Sequence, residues 1–334
     1  MQWDYGFDFG AESVRCVFAG TGDMYIESAC AAFRGNEESP FACGDRAYPY
    51  RGRETAGVRL AVCFEAGRAR DIPLTADWMC RVMDMTDRRV LRRRRALAAV
   101  SPLMSDSEAE LLERECVNAG MDACGTVHAD MAAALGADID VPGGESAFLL
   151  DVGASQIGWY VLSGARRVSA SSLPFGLSSA EAVITDMVRQ KEGLIIGPRA
   201  ARLMKHSAFS AEDGEVEVAV FDPVKRLPRV EKLGTEPAAR AVGTVINAAL
   251  TLTEAGISSL PAGLAQDIQE KGITLVGGGA NLYGLDGWLS EELKLPVNSV
   301  ANPENCVAAG LKRYIDDPDR CACLLRDWRK AGDK

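Results

Sequence analysis

Apolar and polar positions along the chain alternate between two periods, two and about three and a half. Strand-like runs and helix-like stretches therefore interleave, which predicts an α/β protein. One run, "FLLDVGASQIGWYVLSG" (Phe148 to Gly164), is apolar up to a bare carboxylate at Asp151, pinches at Gly153, Ala154 and Ser155, and resumes as a second strand. A shorter copy stands near the start, "YGFDFGAESVRCVFAG", in which Asp8, Gly10 and Ala11 match Asp151, Gly153 and Ala154. Both copies read strand, Asp-x-Gly-Ala, strand, and they lie about one domain's length apart. Two unrelated hairpins with glycine turns would carry the same short match, so the remainder of the chain decides.

After the first hairpin a polar stretch with glycine and proline covers about residues 34 to 58. "LTADWMCRVMDM" predicts a helix with Trp78, Val82 and Met85 on one face. "ALAAV" (Ala96 to Val100) predicts a buried strand. Ser105 and Glu108 have the spacing of a capping box before a helix closed by Gly120. "ACGTVH" then reads as a strand and "ADMAAALGA" as a helix. Further helices are expected over Ser178 to Gln190, at "IIGPRAARLMKH" and over Pro237 to Ala255, with "GEVEVAVFD" an alternating strand between them. Finally "ITLV" predicts a buried strand running into Gly277, Gly278 and Gly279, where backbone can approach a ligand closely. "NLYGLDGWLSEEL" follows as a helix whose free N–H groups could face a nucleotide.

Composition narrows the class. At 334 residues and 47% hydrophobic content the chain suits two domains, or one large one, with a sizeable core. No apolar run approaches the roughly 20 residues of a membrane span, and the acidic N-terminus has no signal-peptide core. A net charge of −10 argues against bulk nucleic-acid binding. Ten cysteines without a C-x-x-C pair read as reduced cytosolic thiols, Cys321 and Cys323 included, and two histidines exclude a histidine-rich metal site.

Two Asp-x-Gly hairpins followed by strand, Gly-Gly-Gly and helix resemble the actin-like ATPase superfamily. Within it the chain is similar to the MreB family over nearly its whole length, through "GFDFGAES", "ADMAAALGA", "GLIIGPRAARLMK", "DIQEKGITLVGGGANLYGLDGWL" and "AAGLKRYI". The resemblance implies an α/β, actin-like ATPase fold with two related domains flanking a nucleotide cleft. Residues 1–144 with about 305–334 would form the first, its small subdomain at about 30–68. Residues 145–304 would form the second, its small subdomain at about 178–236. The cofactors implied are ATP and Mg²⁺, with Asp8 and Asp151 facing the metal directly or through water, since a hard cation prefers oxygen. The first hairpin (Gly10, Ala11, Glu12, Ser13) and the second (Gly153, Ala154, Ser155, Gln156) would meet the phosphates. Gly277, Gly278, Gly279, Ala280 and Asn281 would lie near the adenosine and α-phosphate, with Arg199, Arg202 and Lys205 also at the nucleotide.

The chain departs from the family pattern where chemistry is expected. Ala11 stands where the pattern has Thr, and Ala154, Ser155 and Gln156 where it has Gly-Gly-Thr. Pro198 and Arg202 replace two acidic positions, at least one of them expected near the ribose. Ala129 replaces the Glu that would orient the attacking water, with Asp130 one residue later as a possible but poorly placed substitute. Loss of such a group typically costs about 10²–10⁴-fold in rate. The resemblance therefore implies a cytoplasmic filament protein, peripheral to the inner face of the membrane, that binds ATP, hydrolyses it slowly or not at all, and scaffolds cell-wall synthesis and shape proteins. The alternatives are a non-polymerising actin-like adaptor recruiting a membrane partner, and a small-molecule kinase of the same superfamily.

Three segments could touch a membrane. Tyr48 and Tyr50 fall roughly where the family can carry a membrane loop. Arg88, Arg89 and Arg92 to Arg95 form a basic run, otherwise a solvated helix end. In the tail, Asp317 can cap a helix that places Cys321, Leu324, Leu325 and Trp328 on one face, to lie on lipid or to pack back on the first domain.

Overall fold

The computed structural model describes residues 2–52, 57–62, 64–65, 68–86, 93–209 and 214–324. The chain opens with the antiparallel strands β1 (Tyr5–Phe9), β2 (Ser13–Phe18) and β3 (Met24–Ser28), then β4 (Cys30–Arg34), β5 (Ala42–Cys43) and β6 (Val58–Val62). The short strands β7 (Phe64–Glu65) and β8 (Arg68–Ala69) lead into helix α1 (Ile72–Thr86), followed by β9 (Arg95–Val100), α2 (Asp106–Asn118), β10 (Ala123–His128) and α3 (Ala129–Gly136). The second half begins with β11 (Ala147–Val152), β12 (Ile157–Ser163), β13 (Arg166–Leu173), α4 (Ser179–Glu192), β14 (Ile195–Ile196) and α5 (Pro198–His206). It continues through β15 (Glu215–Asp222), β16 (Leu227–Gly234), α6 (Glu236–Ser258), α7 (Ala262–Lys271) and β17 (Ile273–Val276), and ends with α8 (Leu285–Leu293), β18 (Val297–Ser299) and α9 (Cys306–Asp316).

These strands build the same sheet twice. The first has the order β3-β2-β1-β9-β10 and the second β13-β12-β11-β17-β18. In each, an antiparallel three-strand meander is joined on its first strand by a parallel strand, which pairs with another. The two Asp-x-Gly copies are thus the first turns of two equivalent meanders. Small three-stranded sheets, β5-β4-β6 and β14-β15-β16, are appended to the two halves.

A shared apolar layer joins the large sheets. Helices α3 and α9 cross between them, where Leu97 and Val127 of the first sheet and Leu149 and Tyr160 of the second meet Met131, Leu311 and Tyr314. The crossing is close because its residues are small. A Cβ on Gly310 would fall on the backbone of Ala132, and one on Gly136 on the backbone of Cys306. Helix α9 also packs on β1 and β2, returning the C-terminal part of the chain to the first sheet.

Local patterns hold with few exceptions. Ser105 caps α2 with both capping-box hydrogen bonds formed. Helix α1 buries Trp78 and Val82, but Met85 is exposed and Met79 and Met83 take the inner positions. The stripe runs i, i+4 from Thr75 and Met79 to Met83, so Met85 turns outward. Helix α8 begins at Leu285, later than expected: a 3-10 turn occupies Gly278–Asn281, and Gly284, at φ 72°, bends the chain before the helix. Its N–H groups are therefore set back from the glycine turn.

The tail takes the second of its two expected forms as far as Leu324. Residues Arg320–Leu324 form a 3-10 turn, and Cys321 and Leu324 are 3% and 4% exposed in the shared apolar layer. Leu324 is thus covered by protein and is not a lipid contact, because burial in that layer already removes its side chain from water. Leu325 and Trp328 lie outside the described residues, as do Arg88, Arg89 and Arg92. Arg94 and Arg95 are occupied locally, with Asp84 at 2.6 Å and Asp4 at 3.0 Å. Tyr50 stands edge-on to Phe41, and Tyr48 lies beneath the guanidinium groups of Arg199 and Arg202. Neither tyrosine is a free aromatic at a loop tip.

Candidate functional site: a cleft between two aspartate hairpins

The ends of β1 and β11 face one cavity of about 480 Å³. That volume lies in the range of small-ligand sites. Asp8 sits one residue before the end of β1, paired in register with Arg15 on β2 and Ala99 on β9. Asp151 holds the equivalent place on β11, opposite Gly158 on β12 and Val276 on β17. The turns that follow are alike. Gly10 N–H donates to the Ser13 carbonyl at 3.0 Å, and Gly153 N–H to the Gln156 carbonyl at 2.9 Å. A Cβ on either glycine would press within 3 Å of that carbonyl, so only glycine closes the turn this tightly.

All eight expected turn residues line the cavity: Gly10, Ala11, Glu12 and Ser13 on one wall, Gly153, Ala154, Ser155 and Gln156 on the other. Gly277, Gly278, Gly279 and Asn281 close it from β17. Gly277 has φ 85°, and a Cβ there would strike the Asp151 carboxylate and the Val152 carbonyl, so the backbone passes directly against Asp151. Ala280 is buried behind this wall in the hydrophobic core rather than on it.

Of the three expected cations, Arg202 and Lys205 line the cavity and Arg199 does not. All three are engaged with protein. Arg202 pairs with Glu12 of the first hairpin, and Lys205 with Glu181 of α4 at 2.7 Å. Arg51, from the connection between β5 and β6, bridges Glu12 at 3.3 Å and Glu181 at 3.5 Å. Arg199 lies over the Tyr48 ring, 5.4 Å from its centroid. An ion-pair chain thus spans the cleft mouth. Ser101, after β9, adds a neutral bridge by donating to the Gln156 side chain at 2.9 Å, while Gln156 donates to the Tyr160 hydroxyl at 2.8 Å.

Burial raises all three acids at the cleft, and their charged neighbours differ. Burial pushes the Asp8 carboxyl up to about 6, opposed by the Arg15 charge. Burial pushes Asp151 up to about 7, and the Asp8 and Asp130 charges add to the rise. Asp130, the second residue of α3, is 3% exposed; burial raises it and Arg167 opposes the rise from 3.2 Å. Arg167 also meets His128 Nδ1 at 3.2 Å, at the end of β10. Ala129 lines the cavity with only a methyl group to offer. Asp151 has no side-chain hydrogen bond or ion pair among the described residues. Among those residues no three His, Cys, Asp or Glu side chains form a closed cation cage. A Mg²⁺ ion at Asp151 fits this donor set, because Mg²⁺ is usually held by one or two carboxylates and completed by phosphate and water.

Sequence reasoning missed Arg15, Arg51, Ser101, Arg167 and Glu181. Only Arg15 carried a local signal, since it lies opposite Asp8 once the hairpin register is drawn. The others arrive from distant segments.

Two sheets of one topology, each turning an aspartate hairpin toward a common cleft, have the architecture of the actin-like ATPase fold. A family model described as MreB/Mbl protein matches residues 2–322, and the chain belongs to that family. It is 25% identical over 322 residues to the cell shape-determining protein Mbl of Bacillus cereus, covering 95% of this chain and 97% of that protein. It is 26% identical over 317 residues to the cell shape-determining protein MreB of Escherichia coli, covering 92% and 91%. Among solved structures, MreB5 of Spiroplasma citri bound to ADP superposes with a TM-score of 0.85 at 21% identity, covering 95% of this chain and 97% of that one. The MamK double helical filament gives 0.78 at 16% identity, covering 92% and 97%.

Proposed function

We propose that this chain binds ATP between the two hairpins, polymerises, and works in cell-shape determination, hydrolysing ATP slowly or not at all. The observation that carries the reading is the pair of equivalent Asp-x-Gly turns on one cavity of about 480 Å³, walled by Gly277–Gly279. Solved relatives support it: the Spiroplasma citri protein is described with ADP and with AMPPNP, and MamK as a filament. Residues 1–144 with the C-terminal segment, and 145–304, act as the two domains that close on the nucleotide. Ligand binding shifts such an equilibrium by its differential affinity for the closed form.

In this reading the hairpin turns receive the phosphates and Asp151 anchors Mg²⁺, which when bound screens phosphate charge. The nucleoside lies along Gly277–Gly279. Hydrolysis is slow because Ala129 has no carboxyl to orient water and Asp130 is committed to Arg167. Pro198 and Arg202 stand at the two positions where the family pattern is acidic, and Arg202 is paired with Glu12, so the acid expected near the ribose is absent. Placement at the inner face of the membrane, beside cell-wall synthesis proteins, completes the proposal. Among its candidate anchors Leu324 is buried, and Leu325 and Trp328 lie outside the described residues.

The test is high-speed sedimentation and electron microscopy of the full chain at high concentration, with Mg²⁺-ATP and without nucleotide. Pelletable filaments are expected. Protein that stays in the supernatant under every condition, while still binding nucleotide, overturns the filament and leaves the adaptor.

A further inference from the structure

We propose that Arg15 is a built-in cation of the phosphate site, so that this chain binds nucleoside triphosphate without requiring a divalent metal. The inference rests on the nucleotide reading of the cleft and adds to it a cofactor requirement and a residue.

Arg15 stands directly opposite Asp8 in the antiparallel β1–β2 register, and directly opposed side chains share one face of the sheet. That face is the cleft. The Arg15 side chain is 12% exposed and lines the cavity. Its Nε donates to Asn305 Oδ1 at 2.8 Å, just before α9, which fixes the guanidinium from behind. Its Nη1 lies 3.7 Å from Asp8 Oδ2, within ion-pair range but beyond a hydrogen bond. The same nitrogen is 3.9 Å from where a Cβ on Gly10 would stand, so the fork lies over the first hairpin turn.

A guanidinium carries five N–H donors. Among the described residues, only the Nε group of Arg15 makes a hydrogen bond. The other Arg and Lys side chains lining the cleft are held more tightly: Lys205 by Glu181 at 2.7 Å and Arg202 by Glu12. Arg15 is therefore a mostly buried, pre-positioned fork with donors to spare, beside the turn where phosphate is expected. Planar bidentate recognition of phosphate is what such a fork does best. Its ion pair also occupies Asp8, one of the two carboxylates that a metal would otherwise use. The Arg15 guanidinium meets phosphate charge whether or not Mg²⁺ is bound at Asp151 to screen it further.

The experiment is a fluorescence titration of the full chain with N-methylanthraniloyl-ATP, in excess Mg²⁺ and in excess EDTA. The wild-type dissociation constant is expected to differ between the two buffers by less than about fivefold, about 1 kcal/mol. Arg15→Leu should lose about 10- to 100-fold in EDTA, the worth of charge-assisted hydrogen bonds, and less in Mg²⁺. Arg15→Lys should recover part of the EDTA binding. Asn305→Ala, which frees Nε without touching the charge, should weaken EDTA binding in the same direction. Wild-type binding that is strong in Mg²⁺ and vanishes in EDTA overturns the role of Arg15 and leaves the nucleotide site standing. An unchanged EDTA-to-Mg²⁺ ratio in folded Arg15→Leu does the same. Absence of binding in both buffers overturns the nucleotide reading itself, and this inference with it. Should Arg15→Leu fail to fold, the wild-type ratio and Asn305→Ala decide.

Discussion

The Lys205–Glu181 pair at the cleft offers a quantitative test. Its Nζ and Oε1 are 2.7 Å apart, and the two side chains are 6% and 10% exposed. At an effective dielectric of about 20 the gross attraction is about 6 kcal/mol. Removing two charges from water costs several kcal/mol each, so the intact pair is close to neutral against an apolar replacement. Breaking it from one side is not neutral, and the two sides differ. Glu181→Leu removes the sole carboxylate that pairs with Lys205 among the described residues and strands an ammonium. The expected loss is about 3 kcal/mol, the lower end for a broken buried pair. Lys205→Met leaves Glu181 with Arg51 at 3.5 Å, so the expected loss is about 1–2 kcal/mol. The double variant should return to within about 1 kcal/mol of wild type, giving a coupling of about 3–5 kcal/mol. Urea denaturation followed by far-ultraviolet circular dichroism measures all four proteins. If the single losses simply add in the double variant, the two groups do not act as a pair and the reasoning fails.

Three further outcomes are expected. In chelating buffer without nucleotide, stability should fall as pH rises from about 4 to about 7: Asp8 and Asp151, raised to about 6 and about 7 when folded, hold protons that the unfolded chain has released. Melting temperature against pH checks this, and a slope unchanged in Asp151→Asn would count against it. Leu324→Ala should destabilise the protein by about 2 kcal/mol, as for a buried leucine, and leave co-sedimentation with anionic liposomes unaltered; reduced liposome binding with unchanged stability would return Leu324 to the membrane surface. Ala129→Glu should raise phosphate release above a near-background wild type, by up to about 10²-fold for a restored water-orienting group; no rise would mean that the surrounding geometry is unsuited to hydrolysis.

What the sequence determined by itself is what depends on near neighbours. The period of apolar residues set β1, β11 and β17, because a strand buried on one or both faces has few ways to arrange its side chains. Asp-x-Gly at positions 8–10 and 151–153 announced two tight turns, because a Cβ at Gly10 or Gly153 would strike a carbonyl three residues on. Ser105 and Glu108 announced the start of α2, since both bonds of that cap span three residues. The loss of a carboxyl at Ala129 was equally plain. What only the tertiary structure decided is which charges meet. Arg15 reaches Asn305 across 290 positions, Arg202 reaches Glu12 across 190, and Lys205 reaches Glu181 from a neighbouring helix. The tail followed the same rule. A stripe of Cys321 and Leu324 is equally suited to lipid or to protein, because apolar burial is non-directional and yields similar free energy against either. Helices α3 and α9, packed through Gly136 and Gly310, placed an open apolar layer beside that stripe, and the side chains closed it.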